Sequence, residues 1–239
     1  MTRGASARTV AGVSQSLPPI KVHQFGTERE PVVQIDEFSG MVDELLKAGR
    51  QAQYQEGGAA YPGIRSWIEP TYLERRRELM MQAMVHVFGF QQGVSCEAST
   101  FSLVTKAPED LSPIQRIPHY DHSEGQLIAV MHYLLGPETG GTAFYRHKRT
   151  GFETITPERE AAYDAGLQAD EATYGIPPAA YFHGDDERYE LIGEIEARPD
   201  RLILYRGRLL HSGVIPDPAA LTGDPASGRL TINMFLRGR

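Results

Sequence analysis

The chain from Val94 onward contains a succession of short strand-like segments, and this pattern limits the fold more than any other feature. Six segments rich in β-branched and aromatic residues are separated by turn residues: Ala98–Thr105, Leu127–Leu135, Ala143–Arg146, Tyr189–Glu196, Leu202–Tyr205 and Leu230–Leu236. Helical segments do not alternate with them, which disfavours a doubly wound parallel sheet. The sequence therefore predicts a mainly β protein built as a double-sheet jelly roll.

Two amphipathic segments before Val94 predict helices that pack on the outside of this sheet. A short apolar strand at Val32–Ile35 leads into the first helix, and Gly49 is placed to end it. Its apolar residues recur at helical spacing: Phe38, Met41, Val42, Leu45 and Leu46. The second helix is predicted to begin at a capping box of Thr71 and Glu74 and to end at Gly89.

The chain is expected to form one domain behind a short tail. Residues 1–19 contain Ala, Ser, Thr and Arg but no acid and no apolar signal segment, so we expect a flexible tail, with a transit peptide as the less favoured alternative. Residues 20–239 are expected to form a single domain. It combines a helical buttress at about 32–90 with a jelly-roll core at about 94–239, interrupted by an insertion at 152–185.

Composition excludes several classes of partner. The formal net charge of −7 comes without any basic block, which argues against nucleic acid. A single cysteine, Cys96, rules out an internal disulfide, fits a reducing compartment and is expected to be buried. No apolar run reaches the length of a membrane helix, so we expect a soluble, cytoplasmic protein with no membrane partner.

A candidate metal site begins in the segment Pro118-His119-Tyr120-Asp121-His122. Because side chains alternate along an extended segment, His119 and Asp121 point to the same face and His122 to the other. His211 follows the predicted strand Leu202–Tyr205, where a jelly roll can return it to the first pair. Two histidines and one carboxylate with further positions open suit non-haem Fe(II) and oxygen chemistry. A His-x-Asp pair alone is weak evidence, since a solvated pair of this kind is common.

The last predicted strand has one polar face. Arg229, Thr231 and Asn233 alternate with Leu230, Ile232 and Met234. A polar face where a buried core would be apolar is expected if the strand lines a site for an anion. Three other histidines have no partner at ligand spacing and are expected to be structural or on the surface: His132, His147 and His183.

The order of these motifs resembles that of the Fe(II)/2-oxoglutarate-dependent dioxygenase superfamily, in its prolyl-hydroxylase-like branch and within it a small bacterial family. Between the His-x-Asp pair and the distal histidine stand Tyr133-Leu134 and Gly140-Gly141-Thr142, and the resemblance spans about Phe101 to Leu236. It implies a double-stranded β-helix of the cupin-like, jelly-roll type. It also implies three roles: Fe(II) ligation by His119, Asp121 and His211; pairing of Arg229 with the distal carboxylate of 2-oxoglutarate; and hydrogen bonding of that carboxylate by Tyr133 and Thr231.

The activity that this resemblance implies is hydroxylation. An oxidoreductase of this kind would consume 2-oxoglutarate and O2, release succinate and CO2, and hydroxylate an unactivated C–H bond of an amino acid, a peptide or protein side chain, or a small metabolite. Asp121 favours hydroxylation over halogenation, because halogenating members lack this carboxylate. The ligand types also permit Zn, Mn or Ni, so the metal bound on purification stays open.

One departure from the family pattern keeps a second anchor open. Arg229 lies eighteen residues after His211, farther than in many relatives, and the loop Pro216–Gly228 accounts for the excess. Arg237 is therefore the alternative anchor for 2-oxoglutarate. Arg206 and Arg208 are further competitors, expected on the surface or facing a substrate.

Two rival functions stay open from the sequence. One is a cupin-like metalloprotein that does not use 2-oxoglutarate, and the other is a noncatalytic β-sandwich binding module. We expect a small-molecule or peptide substrate, but the residues do not select one. The insertion at 152–185, with a helix predicted to begin at Thr156-Pro157-Glu158, is open to two roles, a lid over the site or a contact in a homodimer.

Overall fold

The computed structural model describes residues 17–58 and 60–239, which contain eleven strands and three α-helices. The strands are β1 (Ile20–Gln24), β2 (Pro31–Ile35), β3 (Gln55–Glu56), β4 (Gly63–Trp67), β5 (Val94–Val104), β6 (Leu127–Tyr133), β7 (Gly141–His147), β8 (Tyr189–Glu196), β9 (Arg201–Arg206), β10 (His211–Val214) and β11 (Leu230–Gly238). The helices are α1 (Val42–Gln51), α2 (Arg77–His86) and α3 (Glu160–Tyr174). Residues 1–16 of the predicted tail lie outside the described part of the chain.

The strands form two antiparallel sheets. The larger sheet has the order β1-β2-β9-β6-β11-β5-β4-β3, and the smaller has the order β10-β7-β8. Neighbours such as β11 with β5 and β6 are distant in sequence, as expected when a chain winds back and forth between two sheets. The predicted jelly roll, mainly β with flanking helices, is confirmed by this architecture.

The outer face of the large sheet is covered by the N-terminal helices. Leu45 of α1 and Leu79 and Met84 of α2 belong to one buried cluster with alternate residues of three central strands: Ile128 and Val130 of β6, Leu202 and Leu204 of β9, and Ile232 and Met234 of β11. Each such side chain contributes about 1.5–3 kcal/mol when fully buried. The two helices therefore form the predicted buttress.

The inner face of the large sheet is apolar on one side and polar on the other. Next to β9, Ala129 and Tyr205 pack against Phe144 and Ile195 of the small sheet. Farther across the sheet, the register aligns four side chains in one row on β6, β11, β5 and β4: Tyr133, Thr231, Ser102 and Arg65. Of this row, Arg65 lines a cavity between the sheets, whereas the other three side chains are buried.

Some predicted boundaries differ from the structure. Gly49 does not end α1 but lies buried in its last turn, where a Cβ atom would stand 2.6 Å from a terminal methyl group of Leu230. The capping box of Thr71 and Glu74 is absent, because Pro70–Arg76 forms a 3₁₀ helix and α2 begins only at Arg77 without a side-chain cap. Gly89 has a positive φ of 81° just after α2, in line with its predicted role.

The insertion and the single cysteine give two further differences. The helix predicted from Thr156 begins four residues later, at Glu160, and its Tyr163 packs with Tyr189 of the small sheet. Cys96 was expected to be buried, and this prediction is wrong. It lies exposed on β5, near a bulge in the pairing with β11, and its thiol donates to the carbonyl of Ala98 at 3.3 Å.

Candidate metal centre and its cavity

The two halves of the candidate metal centre are joined by backbone hydrogen bonds. The segment before β6 runs antiparallel to the start of β10, and the amide of His119 donates to the carbonyl of His211 at 2.9 Å. The amide of His211 returns a bond to the carbonyl of His119 at 2.8 Å, and the amide of Asp121 donates to Gly207 at 2.7 Å. The predicted extended segment therefore lies beside the predicted distal histidine.

The three predicted ligands converge on one point. Their ligating atoms all lie within 4.8 Å of one another. Nε2 of His119 is 3.9 Å from one oxygen of Asp121, and Nε2 of His211 is 3.6 Å from the other. Nδ1 of His211 contacts the carbonyl of Leu209 at 2.8 Å, and a carbonyl can only accept a hydrogen bond. Nδ1 therefore carries the proton, which leaves Nε2 as a free electron pair for a metal.

Asp121 shows that the residues fit a cation. Its Oδ2 is buried and has no hydrogen-bond partner among the described residues. A buried carboxylate oxygen without a donor costs about 1–3 kcal/mol or more, so such atoms are rare in native proteins unless a ligand or water satisfies them. A divalent ion shared with the two imidazoles would do so.

The pKa values favour neutral histidines, each of which has one ring nitrogen free of a proton. Burial lowers the pKa of His211 to about 4. Burial in the cavity and the nearby His211 lower the pKa of His119 to about 4, although the side chain of His119 is 48% exposed, chiefly toward the cavity. Burial raises the pKa of Asp121 to about 6, against the attraction of His119 and Arg65. At neutral pH all three groups are in the form that binds a metal.

Arg229 lies at the start of β11 and is buried, with 8% of its surface exposed. Its Nε donates to the carbonyl of Thr139 at 2.7 Å and one terminal nitrogen donates to that of Gly141 at 3.3 Å. Of the three buried arginines among the described residues, Arg188 and Arg201 form ion pairs with an aspartate, whereas Arg229 forms none. A buried guanidinium without a carboxylate partner is a site for an anion.

Tyr133 and Thr231 lie one step behind the cavity wall. They are 1% and 2% exposed. The hydroxyl of Tyr133 is 2.6 Å from that of Thr142, and the hydroxyl of Thr231 donates to the amide oxygen of Asn233 at 2.9 Å. Thr142 and Asn233 line the cavity. Tyr133 and Thr231 therefore reach the cavity only through Thr142 and Asn233, two residues for which the sequence predicted no role in binding the carboxylate.

The cavity that contains these groups has a volume of about 990 Å³. His119, Asp121 and His211 line it together with Arg229, so the metal centre and the candidate anion site share one space. Small-molecule sites commonly occupy about 300–1,000 Å³, and this cavity lies at the upper end of that range. It has room for a cosubstrate and a second molecule.

The alternative arginines are already neutralised. Arg237 pairs with Glu97 and, at 3.0 Å, with Glu124 at the far end of β11. Arg206 and Arg208 both pair with Glu30, at 2.5 and 2.9 Å. Arg229 therefore differs from its three competitors in lacking a carboxylate partner among the described residues.

The remaining histidines lie away from the ligand cluster. His122 is exposed at the cavity, where its Nδ1 accepts the amide of Glu124 at 3.1 Å. His132 is buried between Tyr72 and Asp200, His147 contacts Asp170 at 2.7 Å, and His183 contacts Glu194 at 2.9 Å. These contacts agree with the predicted structural or surface positions.

Other cavity residues were missed by the sequence analysis. Arg65 and Tyr61 line the cavity from β4 and the turn before it, and Glu160 and Asp164 line it from α3. The alternation of Gly63, Arg65 and Trp67 on one face was the available signal, but a five-residue polar strand does not stand out from a loop. Two acidic residues four apart on a helix, such as Glu160 and Asp164, are as common on solvent-exposed faces as in functional sites.

The protein is thus a mainly β jelly roll in which two histidines and one carboxylate gather beside one inner cavity. The chain belongs to the Family of unknown function (DUF6445), whose sequence profile matches residues 17–236. A search of curated proteins found no match.

Several solved structures resemble the chain. The α-ketoglutarate-dependent non-heme epimerase SnoN from nogalamycin biosynthesis is 15% identical, with 88% of this chain and 80% of that chain covered and a TM-score of 0.47. A viral collagen prolyl hydroxylase from Paramecium Bursaria Chlorella virus-1, in complex with 2-oxoglutarate, is 11% identical (87% and 96% covered, TM-score 0.45). HygX from Streptomyces hygroscopicus, with nickel and 2-oxoglutarate bound, is 14% identical (88% and 84% covered, TM-score 0.48).

Within the described residues, no helix combines the length and the apolar character needed to cross a bilayer.

Proposed function

We propose that the protein is an Fe(II)- and 2-oxoglutarate-dependent oxygenase that hydroxylates a C–H bond of an amino acid, a peptide or protein side chain, or a small metabolite. The observation that carries the proposal is the shared cavity. It contains a His-Asp-His cluster with neutral histidines and, on the same inner surface, a buried arginine that has no carboxylate partner among the described residues. A cation site and an anion site in one space suit a dicarboxylate that chelates a metal through one end.

In this proposal each residue has a defined task. His119, Asp121 and His211 would hold Fe(II) at the cavity wall. Arg229 binds the distal carboxylate of 2-oxoglutarate, and its position is fixed by the two backbone carbonyls that accept from it. Fe(II) with 2-oxoglutarate and O2 supplies the oxidising power when bound, with succinate and CO2 as products.

The residues around the carboxylate set its orientation. We propose that Thr142 and Asn233 face it from the cavity wall, while Tyr133 and Thr231 hold them through the hydrogen bonds described above. Burial raises the pKa of Tyr133 to about 12, so its hydroxyl keeps a proton to donate at neutral pH. An oriented donor that does not ionise supports one binding pose of an anion.

The insertion is proposed to be a lid rather than a dimer contact. Glu160, Tyr163 and Asp164 of α3 line the cavity, and Tyr120, next to the first metal ligand, contacts Glu160 at 3.4 Å. A helix in this position would restrict water and select what enters. Because the sheets and the insertion all border one cavity, we also propose that residues 20–239 act as one domain.

Binding experiments test the proposal before any substrate is known. Calorimetric titration of metal-free protein with Mn(II), and then with 2-oxoglutarate, should show one site for each. Mn(II) is expected to bind weakly or not at all to His119→Ala, Asp121→Ala and His211→Ala. If the wild-type protein does not bind Mn(II), or does not bind 2-oxoglutarate, the oxygenase is excluded.

The two rival functions predict different results. A cupin-like metalloprotein would bind Mn(II) but not 2-oxoglutarate, and Arg229→Gln would leave its properties unchanged. A noncatalytic binding module would bind neither. Turnover is then sought by succinate release over a panel of metabolites and peptides, with a product 16 mass units heavier, one oxygen atom, as the expected signature of hydroxylation.

A further inference from the structure

A second cationic side chain in the cavity, Arg65, has no carboxylate partner among the described residues. The guanidinium of Arg65 lies over the ring of Tyr61, 4.0 Å from its centroid, and both residues line the cavity. Its Nε is buried and has no hydrogen-bond partner among the described residues, and Arg65 forms no ion pair with any described carboxylate. Stacking on an aromatic ring orients a guanidinium without using its N–H donors.

Arg65 is close enough to the metal centre to act on a molecule bound there. Its charge favours the ionised form of Asp121 and the neutral form of His119, so it is within electrostatic reach of both. Burial lowers its own pKa, the sign of a cation that is poorly solvated and poorly compensated. Glu160 and Asp164 line the cavity as well, but neither forms an ion pair with Arg65.

Charge balance assigns Arg65 to something other than 2-oxoglutarate. A divalent ion, the Asp121 carboxylate, doubly charged 2-oxoglutarate and the Arg229 guanidinium together have no net charge. One carboxylate of 2-oxoglutarate binds the metal and the other binds Arg229, so the cosubstrate has no third anionic group to offer. Glu160 and Asp164 add negative charge elsewhere on the cavity wall, but neither pairs with Arg65, so its guanidinium keeps N–H donors that an anion can engage.

We propose that Arg65, oriented by Tyr61, binds an anionic group of the substrate, so that the substrates of this protein bear a carboxylate or a group of similar charge and shape. The inference rests on the proposed function. It narrows the substrate to an acid, such as an amino acid, a peptide with a free acid group or a small organic acid. A neutral or purely cationic molecule would leave the Arg65 guanidinium without a counter-charge.

A matched pair of probes tests this without knowledge of the substrate. Benzoate and benzamide have nearly the same shape and differ in charge, and each is titrated into protein saturated with Mn(II) and 2-oxoglutarate, with binding followed by ligand-observed NMR. Wild-type protein is expected to bind benzoate at least about tenfold more tightly than benzamide, the minimum for a charge-assisted contact in a secluded site. Arg65→Gln should abolish the preference, and Arg65→Lys should retain part of it.

The controls separate this inference from the proposed function. Arg50→Gln removes an exposed cation from α1 and should leave the benzoate preference unchanged. Absence of Mn(II) and 2-oxoglutarate binding by wild-type protein would refute the oxygenase itself. If wild-type protein binds both but does not distinguish benzoate from benzamide, the oxygenase stands and the substrate inference is wrong. If Arg65→Gln weakens 2-oxoglutarate binding as much as Arg229→Gln does, Arg65 belongs to the cosubstrate site and the inference is also wrong.

Discussion

Replacement of Arg229 is the most direct test of how this cavity recognises 2-oxoglutarate. In the free protein its guanidinium is held by the carbonyls of Thr139 and Gly141, and no described carboxylate neutralises it. Arg229→Gln removes the charge and the planar fork but retains a polar side chain of moderate size. The carboxylate of 2-oxoglutarate would then be desolvated without a cation to face it.

The size of the effect follows from the contacts. A hydrogen bond to a charged group contributes about 1.5–3 kcal/mol net, and a bidentate pair offers two of them at incomplete additivity. We therefore expect Arg229→Gln to weaken 2-oxoglutarate binding by about 3 kcal/mol, which is about a hundredfold in Kd. Arg229→Lys keeps the charge but not the fork, so a loss of about tenfold is expected.

Calorimetry with Mn(II)-saturated protein measures these values. Mn(II) affinity should be unchanged in both variants, because Arg229 is not among the metal-binding cluster. Arg237→Gln is the matched control, since Arg237 lies near the end of β11, the strand that Arg229 precedes, but is neutralised by Glu97 and Glu124. Binding of 2-oxoglutarate to Arg229→Gln within threefold of wild type would refute the assignment, and a large loss in Arg237→Gln would move the anchor to that residue.

Three further predictions concern the fold and the metal. Burial would raise the pKa of Asp200, but its hydrogen bonds outweigh burial and lower the pKa from 3.8 to about 2, so Asp200→Asn should cost about 2 kcal/mol of stability at pH 7. That difference in denaturant unfolding should shrink as pH falls below about 4 and vanish near 2; a constant difference would contradict it. Gly63→Ala places a Cβ atom 1.9 Å from the carbonyl oxygen of Leu103 and should destabilise by about 3 kcal/mol or more, whereas Gly213→Ala meets no atom within 4 Å and should be near neutral. Because burial raises the pKa of Asp121 to about 6, Mn(II) affinity should be constant above about pH 7 and fall by about tenfold per pH unit below 6; a two-proton slope would point to the histidines instead.

The sequence predicted the architecture well where local pattern and burial agree. β8 (Tyr189–Glu196) has the predicted boundaries. The other predicted strands after Val94 (β5, β6, β7, β9 and β11) differ from prediction by up to four residues at one or both ends. In β6 and β11, alternate apolar residues lie on the face that packs on α1 and α2. The strands that were missed, β1, β3, β4 and β10, are only two to five residues long and are placed by pairing with neighbours rather than by a periodic pattern.

The metal cluster could be predicted because its geometry depends on local spacing and backbone pairing. His119 and Asp121 share a face whenever their segment is extended, and a bridge to His211 needs only the backbone groups that every residue has. Arg65 could not be predicted in the same way. It reaches the cavity only because β4 adds to the large sheet beside β5, a pairing between segments about forty residues apart that no local pattern reveals.

Buried polar atoms without a hydrogen-bond partner support the candidate site independently of its sequence motifs. Native proteins satisfy nearly all of their buried polar groups, because each failure costs about 1–3 kcal/mol. Here a carboxylate oxygen of Asp121 and Nε of Arg65 are both buried and unpartnered among the described residues, and both side chains line the same cavity. One of these groups calls for a cation and the other for an anion, so a single bound molecule of either sign cannot satisfy both. The cavity therefore suits a cation and an anion together, which is the composition of a metal-dependent site with an acidic partner.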